Sequence, residues 1–182
     1  MVWHGLQLKV VLIALAIGLI CLFGGQWLYN KYGYQQSLQQ ALAGKPQVAD
    51  FKLEERSGQL VVTVRLRSAG NLQQTYKELK QAVEEASGNR PYLLELTDNR
   101  DASLEGAFYQ SQFVIYQAFV QGSFPEMERE VSANARAVGA EARLYLDNEN
   151  LYLTFIKGDR FLAAVIPRTL PETPVKGAAP YA

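Results

Sequence analysis

Val48 to Leu66 reads VADFKLEERSGQLVVTVRL, and its alternation sets how the rest of the chain is understood. From Val48 to Glu55, Ala49, Phe51 and Leu53 fall on one face and Asp50, Lys52 and Glu54 on the other. A period of two marks a half-buried strand. Ser57-Gly58 supplies a turn, after which Leu60, Val62, Val64 and Leu66 alternate with Val61, Thr63, Arg65 and Arg67. The pattern predicts a β-hairpin.

Working outward, Asn71 followed by Gln74 has the form of a capping box, and Leu72, Tyr76, Leu79, Val83 and Ala86 recur at helical spacing as far as Gly88. After Pro91, Tyr92 to Thr97 (YLLELT) reads as a strand apolar enough to lie inside a sheet. A strand, helix, strand sequence of this size implies a right-handed crossover and a strand parallel to the second arm of the hairpin.

Ala102 to Gln121 reads as a long helix, with no charged residue between Gly106 and Pro125. Leu104, Phe108, Ile115 and Ala118 form one stripe, and Tyr109, Phe113, Tyr116 and Val120 form a second on a neighbouring face. So wide an apolar arc needs more than one neighbour. Two readings stay open: a central helix wedged between the sheet and the next helix, or a Tyr109 stripe that meets an oligomer, a partner or lipid.

Ser123-Phe124-Pro125-Glu126 is a second capping signature, and Met127, Val131, Asn134 and Val138 continue an inner face until Gly139. Three strands follow, Ala142 to Leu146, Leu151 to Ile156 and Phe161 to Ile166, separated by turns at Asp147 to Asn150 and Gly158-Asp159. Short turns make them an antiparallel meander. Pro167 closes it, and Pro171, Pro174, Gly177 and Pro180 mark residues 169–182 as a disordered tail.

The N-terminal side carries a different signal. Val10 to Phe23 (VVLIALAIGLICLF) is almost wholly apolar, and no charge occurs from Val10 to Asn30. Roughly 20 such residues match a hydrocarbon core of about 30 Å. Trp3 at one end, with Trp27 and Tyr29 at the other, resembles interfacial aromatic belts. Ala14-x-Ala16 lies inside the apolar core and makes a poor cleavage site. Leu19-Ile20 before Cys21 is too bulky for a lipoprotein signal, so an uncleaved anchor is expected.

Lys9 on one side faces Lys31 and Lys45 on the other, so positive-inside counting gives almost no bias. The short N-terminal flank favours an N-in, C-out orientation. The expected organisation is therefore 1–9 as a cytoplasmic N-terminus and 10–29 as a transmembrane helix, followed by 30–44 as a stalk with a short helix. Residues 45–168 form an extracytoplasmic domain ahead of the tail. The expected class is α+β, a single α/β domain with a mixed sheet in the order α-β-β-α-β-α-α-β-β-β.

In element order, Gln35 to Thr97 (αββαβ) resembles the BON and ring-building modules of membrane-associated and secretion-system proteins. The shared features are the hairpin carrying Val61-Val62-Thr63-Val64, the amphipathic helix at Asn71 to Ser87 and the strand at Tyr92 to Thr97. That resemblance implies envelope contacts, or side-by-side packing into rings. The later helical pair and three-stranded meander fall outside the pattern.

Composition narrows the chemistry. The chain has 182 residues with 18 basic and 18 acidic side chains. Its zero net charge and pI near 6.6 supply no overall positive field, so no nucleic-acid partner is expected. His4 and Cys21 are the single histidine and cysteine. Everything after Cys21 lacks Cys/His zinc ligands, a triad histidine and a thiol nucleophile. No cofactor, metal site or catalytic residue is expected, and an enzyme is the least favoured class.

Asp98-Asn99-Arg100-Asp101 is the densest polar cluster at an element boundary, and with Glu95 it forms the candidate ligand-binding set. The simpler account is that Asp101 caps the long helix while Asp98 and Asn99 make the turn. Glu95 with Asp98 has the composition of a two-carboxylate pair but no diagnostic spacing. Lys52, Arg65 and Arg67 offer a small basic strip, diluted by Asp50 and Glu54. Tyr109, Phe113, Tyr116 and Val120 are the candidate interface, for a homo-oligomer or an envelope protein partner. The expected role is non-enzymatic assembly at a membrane, with small-molecule or peptide binding near 98–101 as the alternative.

Overall fold

The computed structural model describes residues 36–168 apart from Asn89, together with Leu15 and Gly18, which are helical. The expected cytoplasmic segment 1–9, the rest of the 10–29 span and the tail 169–182 lie outside the described residues. Among the described residues, no helix is long and apolar enough to cross a membrane.

The alternating stretch forms the expected hairpin. Strand β1 (Val48–Arg56) runs antiparallel to β2 (Gln59–Leu66), from Arg56 opposite Gln59 to Val48 opposite Leu66. Ser57 and Gly58 both have positive φ, 52° and 79°. That backbone matches the twist of a two-residue hairpin turn. The register shifts between Val48 and Asp50. This bulge turns Val48 inward and leaves Ala49 exposed, so the expected Ala49 face begins at Val48 instead.

Asn71 caps helix α2 (Leu72–Ser87) by accepting from the backbone N–H of Gln74. The crossover delivers β3 (Tyr92–Thr97) parallel to β2 and directly beside it, with Leu60 opposite Tyr92 and Arg65 opposite Thr97. The strand order is β1-β2-β3, so β3 is an edge strand and not the interior one expected. Helix α1, described over residues 36–43, lays the fully buried Leu38 and Leu42 into the same core as Val62, Val64, Leu79 and Val83. Residues 36–43 of the stretch assigned to a stalk are therefore part of the packed unit.

Helix α3 (Ala102–Gln121) turns at Gly122, φ 73°, into α4 (Phe124–Ala137). Ser123 occupies the cap position of α4 without a side-chain hydrogen bond, and Pro125 sits in the first turn. Strands β4 (Glu141–Leu146), β5 (Asn150–Lys157) and β6 (Arg160–Pro167) then form the expected meander.

The α+β class and element order are as expected, but the single mixed sheet is two three-stranded sheets, one mixed and one antiparallel. The second sheet is the middle layer. Leu151, Leu153, Phe155 and Leu162 pack with Leu104 and Ile115 of α3 and with Met127 and Val131 of α4. Tyr152, Phe161 and Ala163 join the core shared by α1, α2 and the first sheet. Because both faces of β5 are covered, Asn150 to Phe155 are all buried.

Candidate functional site

The polar cluster after β3 is spent on holding the two sheets together. β6 is an edge of its sheet, and its Phe161 and Ala163 N–H groups are met by side chains of this cluster. Asn99 Oδ1 accepts from Phe161 at 2.9 Å, and Asp98 Oδ2 accepts from Ala163 at 2.7 Å. Asn99 also donates to the Asp159 carbonyl at 2.7 Å.

The Asp98 side chain is 2% exposed. It takes two 2.8 Å hydrogen bonds from Arg100, through Nε and a terminal guanidinium nitrogen, and a third from the Arg100 backbone N–H. Bidentate geometry of this kind is the strong form of an ion pair.

Asp101 caps α3, accepting from the Leu104 N–H at 2.9 Å and the Ser103 hydroxyl at 2.7 Å. The Ser103 hydrogen bond, then the Leu104 N–H, hold its carboxyl below the usual range. Lys157 donates to Ser103 at 2.8 Å. Glu95 points to the opposite side of β3 from the core and accepts from Thr63 at 3.4 Å, one strand away. The structure thus gathers Asp98, Asn99 and Arg100 into one knot, with Asp101 starting the adjacent helix and Glu95 apart. Of the basic strip, Arg65 lies 3.8 Å from Asp50 across the hairpin, and Arg67 donates to the Val48 carbonyl.

The second stripe of α3 is open. Leu104, Ala107, Ser111, Ile115 and Ala118 are buried against the sheet and α4, while Tyr109, Phe113, Tyr116 and Val120 are 42%, 84%, 40% and 88% exposed. The helix thus packs on the sheet and on α4, yet keeps its aromatic face in solvent. Buried Ser111 bridges the helices, donating to the Ala107 carbonyl and accepting from Asn134. Tyr116 packs edge-on against Phe119, which meets Phe124, and the Arg168 guanidinium lies 5.4 Å from the Phe124 ring centre. These rings brace one end of the stripe.

A feature that sequence reading missed is a shallow groove of about 380 Å³ between α2 and the β4–β5 turn, lined by Tyr76, Lys77, Lys80, Asp147, Glu149 and Tyr152 among others. Four of its charges form two pairs, Lys77 with Asp147 at 2.8 Å and Lys80 with Glu149 at 3.1 Å, and its Glu84 accepts from the Tyr92 hydroxyl at 2.8 Å. Burial opposes ionisation of Asp147. It is outweighed by hydrogen bonds from Lys77, the Asn150 and Glu149 N–H groups and the Tyr152 hydroxyl, which hold the carboxyl well below its usual range. The partners lie about 70 residues apart in sequence, so no local pattern signals them. Among the described residues, no group of three His, Cys, Asp or Glu is placed to hold a metal ion.

Comparison with family models, with curated proteins and with solved structures finds no match.

Proposed function

We propose that this chain is a single-pass membrane protein whose extracytoplasmic domain acts in assembly or contact within the cell envelope, without catalysis. The observation that carries this reading is the open aromatic stripe Tyr109, Phe113, Tyr116 and Val120 on an otherwise well-packed helix. At roughly 200 Å² for a whole aromatic side chain, its three aromatics leave roughly 300 Å² in solvent before Val120 is added. That is the scale of the largest apolar patch on a typical monomer, which is often functional. The apolar run Val10 to Phe23 supports the anchor, and the BON-like order of the first half supports lateral packing. Polar groups at 98–101 favour the assembly reading over a ligand pocket, since a ligand there would compete with the hydrogen bonds to β6.

The test uses the full chain in cells. Alkaline carbonate should leave it in the membrane pellet, and protease added outside spheroplasts should digest the domain. A photo-crosslinking residue at position 113 should form an adduct that Tyr109→Ser with Tyr116→Ser abolishes. Release by carbonate, a protected domain or no adduct would each overturn the reading.

A further inference from the structure

We propose that the free edge of β4 pairs antiparallel with β4 of a second copy of this chain, centred on Leu144, so that the antiparallel sheets of the two copies join edge to edge. This contact lies on a different element from the α3 face and does not depend on it. Its basis is a row of backbone donors and acceptors, which an added strand satisfies in register.

The direction of each backbone group follows from the register. The Phe161 and Ala163 N–H groups meet Asn99 and Asp98, so these two residues point away from β5 and Leu162 points toward it. Leu162 lies opposite Phe155, and Thr154 lies opposite Arg143. Successive residues alternate in direction, so Glu141, Arg143 and Tyr145 bond to β5 while Ala142, Leu144 and Leu146 point outward. The Asp147 N–H, 3.0 Å from the Asn150 carbonyl, continues the inward set.

The other edges carry protection. Asp98 and Asn99 cover β6, and β3 touches β6 and leads into that knot. On β1 the bulge breaks the ladder, and Asp50 accepts the outward N–H of Phe51 at 2.9 Å. β4 has none of these devices. Its register with β5 is unbroken, it holds no proline or lysine, and among the described residues no hydrogen bond reaches Ala142, Leu144 or Leu146 from outside the sheet. A bare edge is a template for another strand.

The side chains favour a second copy as that strand. Of the antiparallel registers, the one centred on Leu144 alone pairs all three outward residues, Leu144 with Leu144 and Ala142 with Leu146 on either side, about one two-fold axis. Small Ala142 then meets Leu146, which is 39% exposed in the single chain. Arg143 meets Tyr145, a guanidinium beside a ring, and does not meet its own copy. Glu141 comes opposite Asp147, yet each is held by a cation of its own chain, Glu141 by Arg143 at 2.7 Å and Asp147 by Lys77 at 2.8 Å. The contact is short, so it forms where chains are concentrated, as the proposed membrane anchor does.

The experiment uses the full chain in lipid vesicles at a series of protein densities. Hydrogen exchange on the unaltered chain comes first: the Leu144 and Leu146 amides should exchange several-fold more slowly at high density than at low, with the Leu53 amide on the edge of β1 unchanged. Exchange that is the same at every density overturns the proposal, and uniformly slow exchange means that another segment of the same chain lies on the edge. Disulfide mapping then reads the register, with Cys21→Ser as background. Arg143→Cys and Tyr145→Cys chains, made distinguishable by a tag, are mixed and oxidised with copper phenanthroline after circular dichroism checks each fold. Directly opposed residues of this kind have Cα atoms about 4.5 Å apart, within disulfide reach. The mixed 143–145 link should exceed the 143–143 and 145–145 links several-fold, and exceed links formed by Lys52→Cys. Ala142→Pro, which removes an outward donor at a position where an edge strand tolerates proline, should lower it several-fold. A mixed link no stronger than the Lys52→Cys control, or same-residue links in the majority, would overturn the proposal. The link should survive Tyr109→Ser with Tyr116→Ser, and its loss there would move self-pairing to α3 and overturn the β4 contact.

Discussion

The carboxylate of Asp98 accepts the backbone N–H of Ala163 at 2.7 Å, so a side chain at the end of β3 occupies a strand's place along the edge of β6. Asn99 does the same for Phe161, two residues back. Open strand edges are sites of unwanted pairing, and this knot covers part of one while tying the two sheets together. Removing one partner of a buried ion pair costs about 3–5 kcal/mol. With Arg100 one-third exposed, Asp98→Ala is expected to cost about 3 kcal/mol, measured as a drop in the urea midpoint.

Two neighbouring faces of α3 should respond in opposite ways. Ile115 is fully buried, so Ile115→Ala should cost about 2–5 kcal/mol. Phe113→Ser and Val120→Ser change residues that project into solvent and should stay within about 0.5 kcal/mol of the parent. Urea unfolding of the three variants under dilute conditions gives the comparison.

Leu38 is fully buried in the core of the first sheet despite lying in the stretch assigned to a stalk. Leu38→Ala should therefore lower stability by about 2–5 kcal/mol. A true stalk residue would leave the unfolding midpoint unchanged.

Asp147 gives a pH dependence with a defined sign. Its folded carboxyl ionises below the unfolded value of about 3.9, so its contribution is complete above that pH and fades as pH falls through it. At pH 7, Asp147→Asn should cost about 2 kcal/mol, the scale of charged hydrogen bonds. The gap between the two proteins should narrow below about pH 4. Denaturant titrations at a series of pH values read both slopes.

Much of this fold was legible because its elements carry strong periodicity and their own punctuation. Alternation at Leu60 to Leu66, the cap at Asn71 and the uncharged run of α3 are local signals, and each element formed where expected. The bulge at Val48 was not legible, because it depends on which side chain the core can take. Nor was the division into two sheets, which rests on contacts such as Asp98 to Ala163 across 65 residues. The aromatic stripe could be seen as a stripe but not as exposed. Its exposure follows from the sheet and α4 taking the Leu104 and Ile115 face and leaving the rest of the arc uncovered.

We propose that the open face of α3 is the contact surface of this domain at a membrane. Photo-crosslinking from position 113 of the full chain in membranes tests it most directly. An adduct, with a second copy or with another protein, should form in the parent and be lost in Tyr109→Ser with Tyr116→Ser, with the circular dichroism spectrum unchanged. No adduct in the parent, or equal adduct in parent and variant, would contradict the account.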